Sequence, residues 1–305
     1  MARALPLFPN QAQTAGFGRA SRTGNCTVSE SLLPDFNPTP GALLQGRYRL
    51  TRELGRGPVS VVYLGQDHHQ EDEVVLKVLD LTGADRTKVR QEVLATWEIA
   101  HDHIVAVRGC FEIAERCCVV MDHAAGPSLG SRVTLEPLTT DEAAAVGRGI
   151  ALGLQAAHRR GILHRHVNPS NILIAAEVRA RLTDFGCAGY GLRDRKGARD
   201  YRAPEVLAGQ AADGRADVYG LGLSLYFALT GELPARQAPE RPTPAVADGH
   251  RPSRLLPMIP GWLDDAIARA TAALPADRFS SAGRLAEALA PGAEHALGSV
   301  ITVRA

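Results

Sequence analysis

Residues Ile162–Ile174 read Ile-Leu-His-Arg-His-Val-Asn-Pro-Ser-Asn-Ile-Leu-Ile, and this stretch decides how the rest of the chain is interpreted. Two further motifs follow it in order. The first is Asp184-Phe185-Gly186, and the second, Lys196–Glu205, reads Lys-Gly-Ala-Arg-Asp-Tyr-Arg-Ala-Pro-Glu. One such motif alone would be weak, whereas an ordered series in a single chain is not expected by chance.

Upstream of this loop the sequence alternates between strand and turn patterns. β-branched and apolar residues flank the glycine turn Glu53–Gly57, which predicts a strand, a turn and a second strand. Glu73–Leu79 and Cys117–Met121 predict two more strands, and Arg86–Ala100 has the charge and spacing of a helix. This part of the chain therefore predicts a small β-rich lobe.

Downstream the patterns are mostly helical. Residues 140–142, Thr-Asp-Glu, are expected to cap an Ala-rich helix that runs to about Arg160. Three more helical patterns follow at Asp217–Leu229, Gly261–Ala273 and Ser281–Leu289. The sequence thus predicts an α+β, bilobal fold with a small β-rich N-lobe and a larger helical C-lobe.

The texture of the chain also predicts its domain boundaries. Residues 1–40 are rich in Pro, Gly, Ser and Thr without an apolar period, so we expect a flexible N-terminal tail. Residues 41–290 form the predicted domain, with an N-lobe over about 41–122 and a C-lobe over about 126–290, and residues 291–305 form a C-terminal tail.

The ordered series resembles the signature motifs of protein kinases, most closely the bacterial serine/threonine protein kinases of eukaryotic type. The resemblance covers roughly Pro40 to Ala290. It implies that Gly55 and Gly57 cover the phosphates of ATP and that Lys77 binds them, held by an ion pair with Glu92. It further places at the nucleotide Val62, Val75, Met121, Asp122, His123 and Leu173.

Two departures in the nucleotide region weaken the expected binding. Val75 stands where the family has an alanine against the adenine, and its extra methyl groups crowd that position. Ser60 replaces the third glycine of the phosphate loop, and Pro58 stiffens its tip. We therefore expect ATP with Mg²⁺ to bind, but weakly.

The catalytic loop departs further from the family pattern. His166 stands at the position of the catalytic aspartate, and Asn168 at that of the lysine that neutralises the transferred phosphoryl group. Ala198 replaces the threonine that bridges those two residues. Asn171 and Asp184, the metal ligands that the resemblance implies, are retained. This combination predicts a pseudokinase that binds ATP and Mg²⁺, transfers little or no phosphate, and acts through a protein partner.

Two other functions remain open at this point. An imidazole is a common general base, so the chain could be an active serine/threonine kinase with His166 in place of the aspartate. Alternatively, the retained metal ligands could serve nucleotidyl transfer. Labelled ATP distinguishes them, because a kinase transfers the γ label to protein and a nucleotidyl transferase transfers the α label.

The residues that hold the C-lobe together match the family pattern. Glu205 is expected to pair with Arg278, and Asp217 is expected to brace the backbone of the catalytic loop. In the family, Arg165 receives a phosphorylated residue of the activation segment. Asp194 or Asp200 could occupy it permanently in this chain.

Composition excludes several other classes of function. The formal net charge is +1, from 34 basic and 33 acidic residues, which gives no reason to expect nucleic acid or an anionic membrane as partner. The longest apolar run, Val218–Leu229, is too short to span a bilayer, and no secretory signal is recognised. The odd, irregular set of cysteines suggests a reducing cytoplasm. These cysteines are Cys26, Cys110, Cys117, Cys118 and Cys187.

Overall fold

The structure is a computed structural model, and it describes residues 38–57, 60–81, 83–113, 116–175, 179–185, 198–234, 246 and 250–290. Residues 1–37 of the predicted N-terminal tail and all of the predicted C-terminal tail lie outside these residues. Within them the N-lobe consists of β1 (Leu43–Leu44), β2 (Tyr48–Arg56), β3 (Ser60–Asp67), β4 (Asp72–Leu79), α1 (Gly83–Thr96), β5 (Val107–Ile113) and β6 (Arg116–Asp122).

The six strands of the N-lobe form one antiparallel sheet in the order β1-β2-β3-β4-β6-β5. Strand β4 lies inside this sheet, and its side chains alternate between two environments, as the two-residue period of a strand requires. Val74, Leu76 and Val78 enter the core of the lobe. Val75 and Lys77 point to the other face, which borders a cavity.

The C-lobe is mainly helical, as the sequence predicts. Its helices are α2 (Leu129–Val133), α3 (Thr140–His158), α4 (Pro204–Leu207), α5 (Gly214–Thr230), α6 (Pro252–Leu255), α7 (Gly261–Ala270) and α8 (Ala282–Ala288). A short hairpin is formed by β7 (Ile172–Ile174) and β8 (Ala180–Leu182), and 3₁₀ turns occupy Pro169–Asn171, Ala198–Tyr201 and Pro275–Asp277. The expected α+β, two-lobed fold is confirmed.

Several helix boundaries differ from the prediction: α1 spans Gly83–Thr96, not Arg86–Ala100, and α5 begins at Gly214, not at Asp217. Side-chain contacts explain two further differences. Thr139, not Thr140, caps α3: its hydroxyl accepts a hydrogen bond from Glu142 N at 3.3 Å, and the Glu142 carboxylate accepts one from Thr139 N at 2.8 Å. Helix α7 ends at Ala270 and not at Ala273. The carbonyl oxygens of the next residues accept hydrogen bonds from the buried guanidinium of Arg278 instead of continuing the helix.

The core of the C-lobe surrounds α5, which is buried along most of its length. The predicted ion pair beside it is confirmed, since both Arg278 terminal nitrogens donate to the Glu205 carboxylate at 2.7 Å and both side chains are buried. No helix among the described residues has the length and apolar character needed to cross a membrane.

Candidate functional site

A cavity of about 810 Å³ lies between the N-lobe sheet and the loop that contains Ile162–Ile174. Most of the predicted site residues line it. These are Gly55, Val62, Val75, Lys77, Met121, Asp122, His123, His166, Asn168, Asn171, Leu173 and Asp184. Gly57 and Glu92 do not line the cavity. This volume, together with apolar walls and a few charged groups, is typical of a pocket that binds a small ligand.

The glycine turn forms one edge of the cavity. Gly55 pairs with Val62 across strands β2 and β3, and Gly57 N donates to Ser60 O at 2.7 Å, which closes the turn. Ser60 is buried and contributes to the cavity wall at the position where the sequence lacks a third glycine. Pro58 lies outside the described residues.

Ion pairs on the protein surface stabilise the part of the cavity wall formed by Asp122 and His123. Arg108 donates to Asp122 Oδ1 at 2.5 Å and to Asp72 Oδ1 at 2.7 Å, and His123 Nδ1 lies 2.9 Å from Glu73 Oε2. These contacts fix the end of β6 against β4 and β5. The segment next to the cavity is therefore tied to the N-lobe sheet by side chains as well as by the strand ladder.

Lys77 and Asp184 meet directly, with Lys77 Nζ 2.6 Å from Asp184 Oδ2. Burial alone would raise the pKa of Asp184, but the charge and hydrogen bond of Lys77 outweigh it and lower the pKa of this carboxyl. The carboxylate is thus ionised at neutral pH. Asp184 also has a φ of 71°, in the left-handed region that aspartate tolerates better than most residues.

The predicted ion pair between Lys77 and Glu92 is wrong for this structure. Glu92 Oε1 accepts from Arg165 Nη1 at 2.8 Å, so α1 is linked to the catalytic loop rather than to β4. Arg165, which Asp194 or Asp200 could have occupied, contacts Glu92 instead, and Asp194 lies outside the described residues. The physical reason is that Lys77 already has the buried carboxylate of Asp184 within reach.

The Asp217 carboxylate holds the backbone of the catalytic loop within Ile162–Ile174, as predicted. Asp217 accepts hydrogen bonds from His164 N at 2.9 Å and from Arg165 N at 2.7 Å, and His158 Nε2 lies 2.8 Å from the same carboxylate. Arg165 has a φ of 64°, so the loop adopts an unfavourable backbone conformation that these bonds maintain.

His164 links this brace to the cavity. Its Nδ1 accepts from His166 N at 3.2 Å, so its Nε2 carries the proton and donates to Thr183 O at 2.8 Å. Complete burial lowers the pKa of His164, in agreement with a neutral ring. The edge of Phe185 packs on this ring with the centroids 4.6 Å apart, which connects the loop to the segment that contains Asp184.

Asn168 is buried, and its side-chain hydrogen bonds to other described residues are both local to the loop. Its Oδ1 accepts from Ser170 N at 2.9 Å and caps the 3₁₀ turn Pro169–Asn171, while its Nδ2 donates to His166 O at 2.9 Å. Asn171 Nδ2 donates to the same carbonyl at 3.0 Å and lies 3.4 Å from His166 Nδ1. The amide of Asn168 therefore stabilises the turn, whereas the amide oxygen of Asn171 is available as a ligand.

His166 is neutral at pH 7. Its burial, together with the positive charges of neighbouring groups, lowers its pKa to about 4. A neutral imidazole does not repel a cation in the cavity. It also supplies no negative charge there, unlike a carboxylate at the same position.

The donor set fits a magnesium nucleotide. The Asp184 carboxylate and the Asn171 amide are oxygen ligands of the kind that Mg²⁺ prefers, and Mg²⁺ usually takes only one or two protein ligands beside phosphate oxygens and water. The described residues contain no group of three or more His, Cys, Asp or Glu side chains that could hold a metal ion. A metal at this site would therefore need phosphate oxygens or water as further ligands. Lys77 lies at the same end of the cavity as a cation for phosphate.

Comparison with known proteins gives the family. The model of the protein kinase domain matches residues 48–254. This chain belongs to the protein kinase domain family. Over 278 residues it is 36% identical to the serine/threonine-protein kinase PknD of Mycobacterium tuberculosis, an alignment that covers 84% of this chain and 42% of PknD. Over 273 residues it is 35% identical to PknJ of Mycobacterium bovis, which covers 82% and 46%.

The kinase domain spans less than half of the length of these curated relatives. Among solved structures it resembles the PknI kinase domain of Mycobacterium tuberculosis, with a TM-score of 0.69 and 30% identity over 83% of this chain and 98% of that chain. It also shares its fold with Rad53, solved in complex with AMP-PNP, with a TM-score of 0.67 and 23% identity over 79% and 64% of the two chains.

Several residues of the kinase domain cavity were not predicted. They are Arg52, Leu54, Val105, Ala124, Gly126, Gly130, Thr183, Phe227 and Leu233. Leu54 and Thr183 directly precede residues that the motifs identify, so their positions were available from the sequence. Val105 also donates from its backbone N to Leu182 O at 2.9 Å, a contact between residues distant in the sequence that no local pattern shows.

Proposed function

We propose that this kinase domain is a pseudokinase: it binds ATP with Mg²⁺, transfers little or no phosphate, and acts by presenting its surface to a protein partner. The observation that carries the proposal is the hydrogen bonding of Asn168. The residue at the position of the phosphate-neutralising lysine is buried and is engaged by Ser170 N and His166 O.

Nucleotide binding is supported by the residues that remain at the cavity. Lys77, Asp184 and Asn171 all line it, and they provide one cation and two oxygen ligands. With ATP bound, Mg²⁺ would supply positive charge that neutralises part of the phosphate charge. Asp184 and Asn171 would hold the metal, and Lys77 would exchange its contact with Asp184 for a contact with phosphate.

Loss of phosphotransfer is supported by the charges that are missing. Catalysis of phosphoryl transfer depends mainly on positioning and on stabilising charge that develops in the transition state. His166 is neutral and Asn168 is uncharged, so the loop offers neither a carboxylate for the attacking hydroxyl nor a cation for the transferred group. Ala198 leaves the third position without a hydroxyl.

The active-kinase alternative has one observation in its favour. His166 lines the cavity and is unprotonated, and its pKa of about 4 is close to that of an ordinary aspartate, so it could accept a proton. Its proton affinity is therefore not the obstacle. The obstacle to phosphotransfer is the absence of the carboxylate and lysine charges, because a base alone contributes only about 10²–10⁴-fold of a kinase's rate enhancement.

The binding half is tested by thermal unfolding with and without millimolar ATP and Mg²⁺. At about 100 times its Kd a ligand stabilises by about 2.7 kcal/mol, which corresponds to roughly 5–10 °C for a domain of this size. Lys77→Met and Asp184→Asn should abolish most of the shift. Lys88→Met is the matched control, because Lys88 is exposed on α1 and should leave the shift unchanged. No shift in the wild type would refute nucleotide binding.

A further inference from the structure

Two cysteines meet on one face of the N-lobe sheet. Cys110 Sγ lies 3.1 Å from Cys117 Sγ, in hydrogen-bonding contact. Cys110 pairs with Val119, and Cys117 pairs with Glu112, so the two cysteines are diagonal neighbours on adjacent antiparallel strands. This contact lies behind the cavity and has no part in the function proposed above.

The two thiols differ in environment. Cys117 is buried in the cluster that α1 covers with Val89 and Val93, whereas Cys110 is partly exposed. The hydrogen bond with Cys110, together with burial, raises the pKa of Cys117 far above that of an ordinary thiol. Cys117 therefore keeps its proton at neutral pH, and Cys110 is the more accessible sulfur of the pair.

We propose that Cys110 and Cys117 are a redox-sensitive pair that closes reversibly into a disulfide when a hydroperoxide oxidises Cys110. The Cys110 sulfur attacks the peroxide ROOH, the O–O bond breaks, and Cys110 becomes a sulfenic acid while its thiol proton passes to the departing oxygen, which leaves as ROH. The Cys117 sulfur then displaces hydroxide from that sulfenic acid, and the Cys117 thiol proton passes to the hydroxide, giving the disulfide and water. Two thiols are oxidised, and one peroxide is reduced.

The geometry makes this disulfide a reversible one. Diagonal positions on antiparallel strands have Cα atoms about 7–8 Å apart. Disulfides usually span about 4.4–6.8 Å between Cα atoms, so closure must draw β5 and β6 together. A disulfide strained in this way is more easily reduced than a structural one. Transient, regulatory disulfides are also the kind that a reducing compartment allows.

The position of the pair gives the disulfide a route to the rest of the lobe. Strand β6 begins at Arg116, next to Cys117, and reaches the cavity at Met121 and Asp122. The Trp97 ring at the end of α1 packs over Gly109, beside Cys110. A movement of β5 or β6 at this cysteine pair should therefore change the packing both at the cavity wall and around Trp97.

The test treats the full-length protein with hydrogen peroxide, blocks remaining thiols with N-ethylmaleimide, and digests it with trypsin without reduction. Cleavage after Arg108, Arg116 and Arg132 places Cys110 in peptide 109–116, and Cys117 with Cys118 in peptide 117–132. We expect the two peptides to be linked, and the link to disappear in a buffer of reduced glutathione.

Cys118 is the matched control, because it is adjacent to Cys117 but faces the opposite core cluster. Cys117→Ser should abolish the linked peptide, whereas Cys118→Ser should retain it. Oxidation should also change the emission of Trp97 in the wild type and in Cys118→Ser but not in Cys117→Ser. The proposal is overturned if no linked peptide forms, if it persists in Cys117→Ser, or if reduced glutathione fails to cleave it.

Discussion

Two parts of the same loop differ in how well they match the family pattern. The backbone at His164 and Arg165 is held by two hydrogen bonds to the Asp217 carboxylate, as a working catalytic loop requires. A few residues further on, His166 and Asn168 bring neither the carboxylate nor the lysine of the family pattern. The loop thus combines a braced backbone with an imidazole and an amide at the cavity.

The difference teaches that the fold and the reaction depend on separate residues. Asp217 belongs to the buried core of the C-lobe, and loss of its hydrogen bonds would leave the buried charge of its carboxylate uncompensated. His166 and Asn168 face the cavity, where a substitution that satisfies local hydrogen bonds costs the fold little. We therefore expect damage to the framework to cost more stability than changes in the loop.

The largest expected effect is on the framework. Arg278→Met leaves the buried Glu205 carboxylate without its partner and removes hydrogen bonds to the carbonyl oxygens of Ala272 and Ala273. Breaking a buried pair typically costs about 3–5 kcal/mol in the free energy of unfolding. Arg284→Met is the control, because its pair with Glu287 is exposed and should be worth below about 1 kcal/mol. Urea unfolding measures both, and equal losses would contradict the distinction.

The second prediction concerns pH and His166. Its pKa is about 4 in the folded protein and about 6.5 in an unfolded chain, so between these values the unfolded chain binds more protons. Stability should therefore fall as the pH is lowered from about 6.5 to about 4, by about 3 kcal/mol from this residue alone. The buried His164, whose pKa is also lowered, acts in the same direction.

His166→Asn should flatten this pH dependence, since asparagine does not titrate. His68→Asn replaces an exposed histidine and should leave the profile unchanged. The measurement is urea unfolding at a series of pH values. If the His166→Asn and wild-type profiles run parallel between pH 6.5 and 4, His166 is not buried as described.

The smallest expected effect is the cap formed by Asn168. Asn168→Ala removes the oxygen that accepts from Ser170 N, and loss of such a cap costs about 1 kcal/mol. Asn168→Asp keeps an acceptor there and should recover much of the loss. Thermal unfolding compares the two variants. If the alanine variant is as stable as the wild type, the claim that Asn168 now has a structural role fails.

Sequence patterns predicted the fold well because its strongest signals are local. The alternation in β4, the glycine turn and the buried helix α5 all follow from short-range periodicity and turn chemistry. The Glu205–Arg278 pair and the Asp217 brace came from the family pattern, and both are present. The predicted Thr140 cap was one residue away, because Thr139 and Glu142 form the reciprocal pair.

The partners of Lys77 could not be predicted in the same way. Glu92 and Asp184 compete for its amine, and the outcome depends on where α1 sits relative to the catalytic loop. Nor does a motif show how deeply a side chain is buried, so the neutral state of His166 and the cap at Asn168 emerged only from the structure.

Phosphotransfer by the unaltered loop tests the central claim most directly. The measurement is the incorporation of γ-labelled phosphate with saturating ATP and Mg²⁺, for the wild type and for the triple variant His166→Asp, Asn168→Lys, Ala198→Thr at equal folded concentration. Because these residues act as a unit, we expect the triple variant to gain measurable transfer while the wild type stays at the background of Asp184→Asn. Transfer by the wild type at an ordinary kinase rate, about 1–100 s⁻¹, would contradict the proposal.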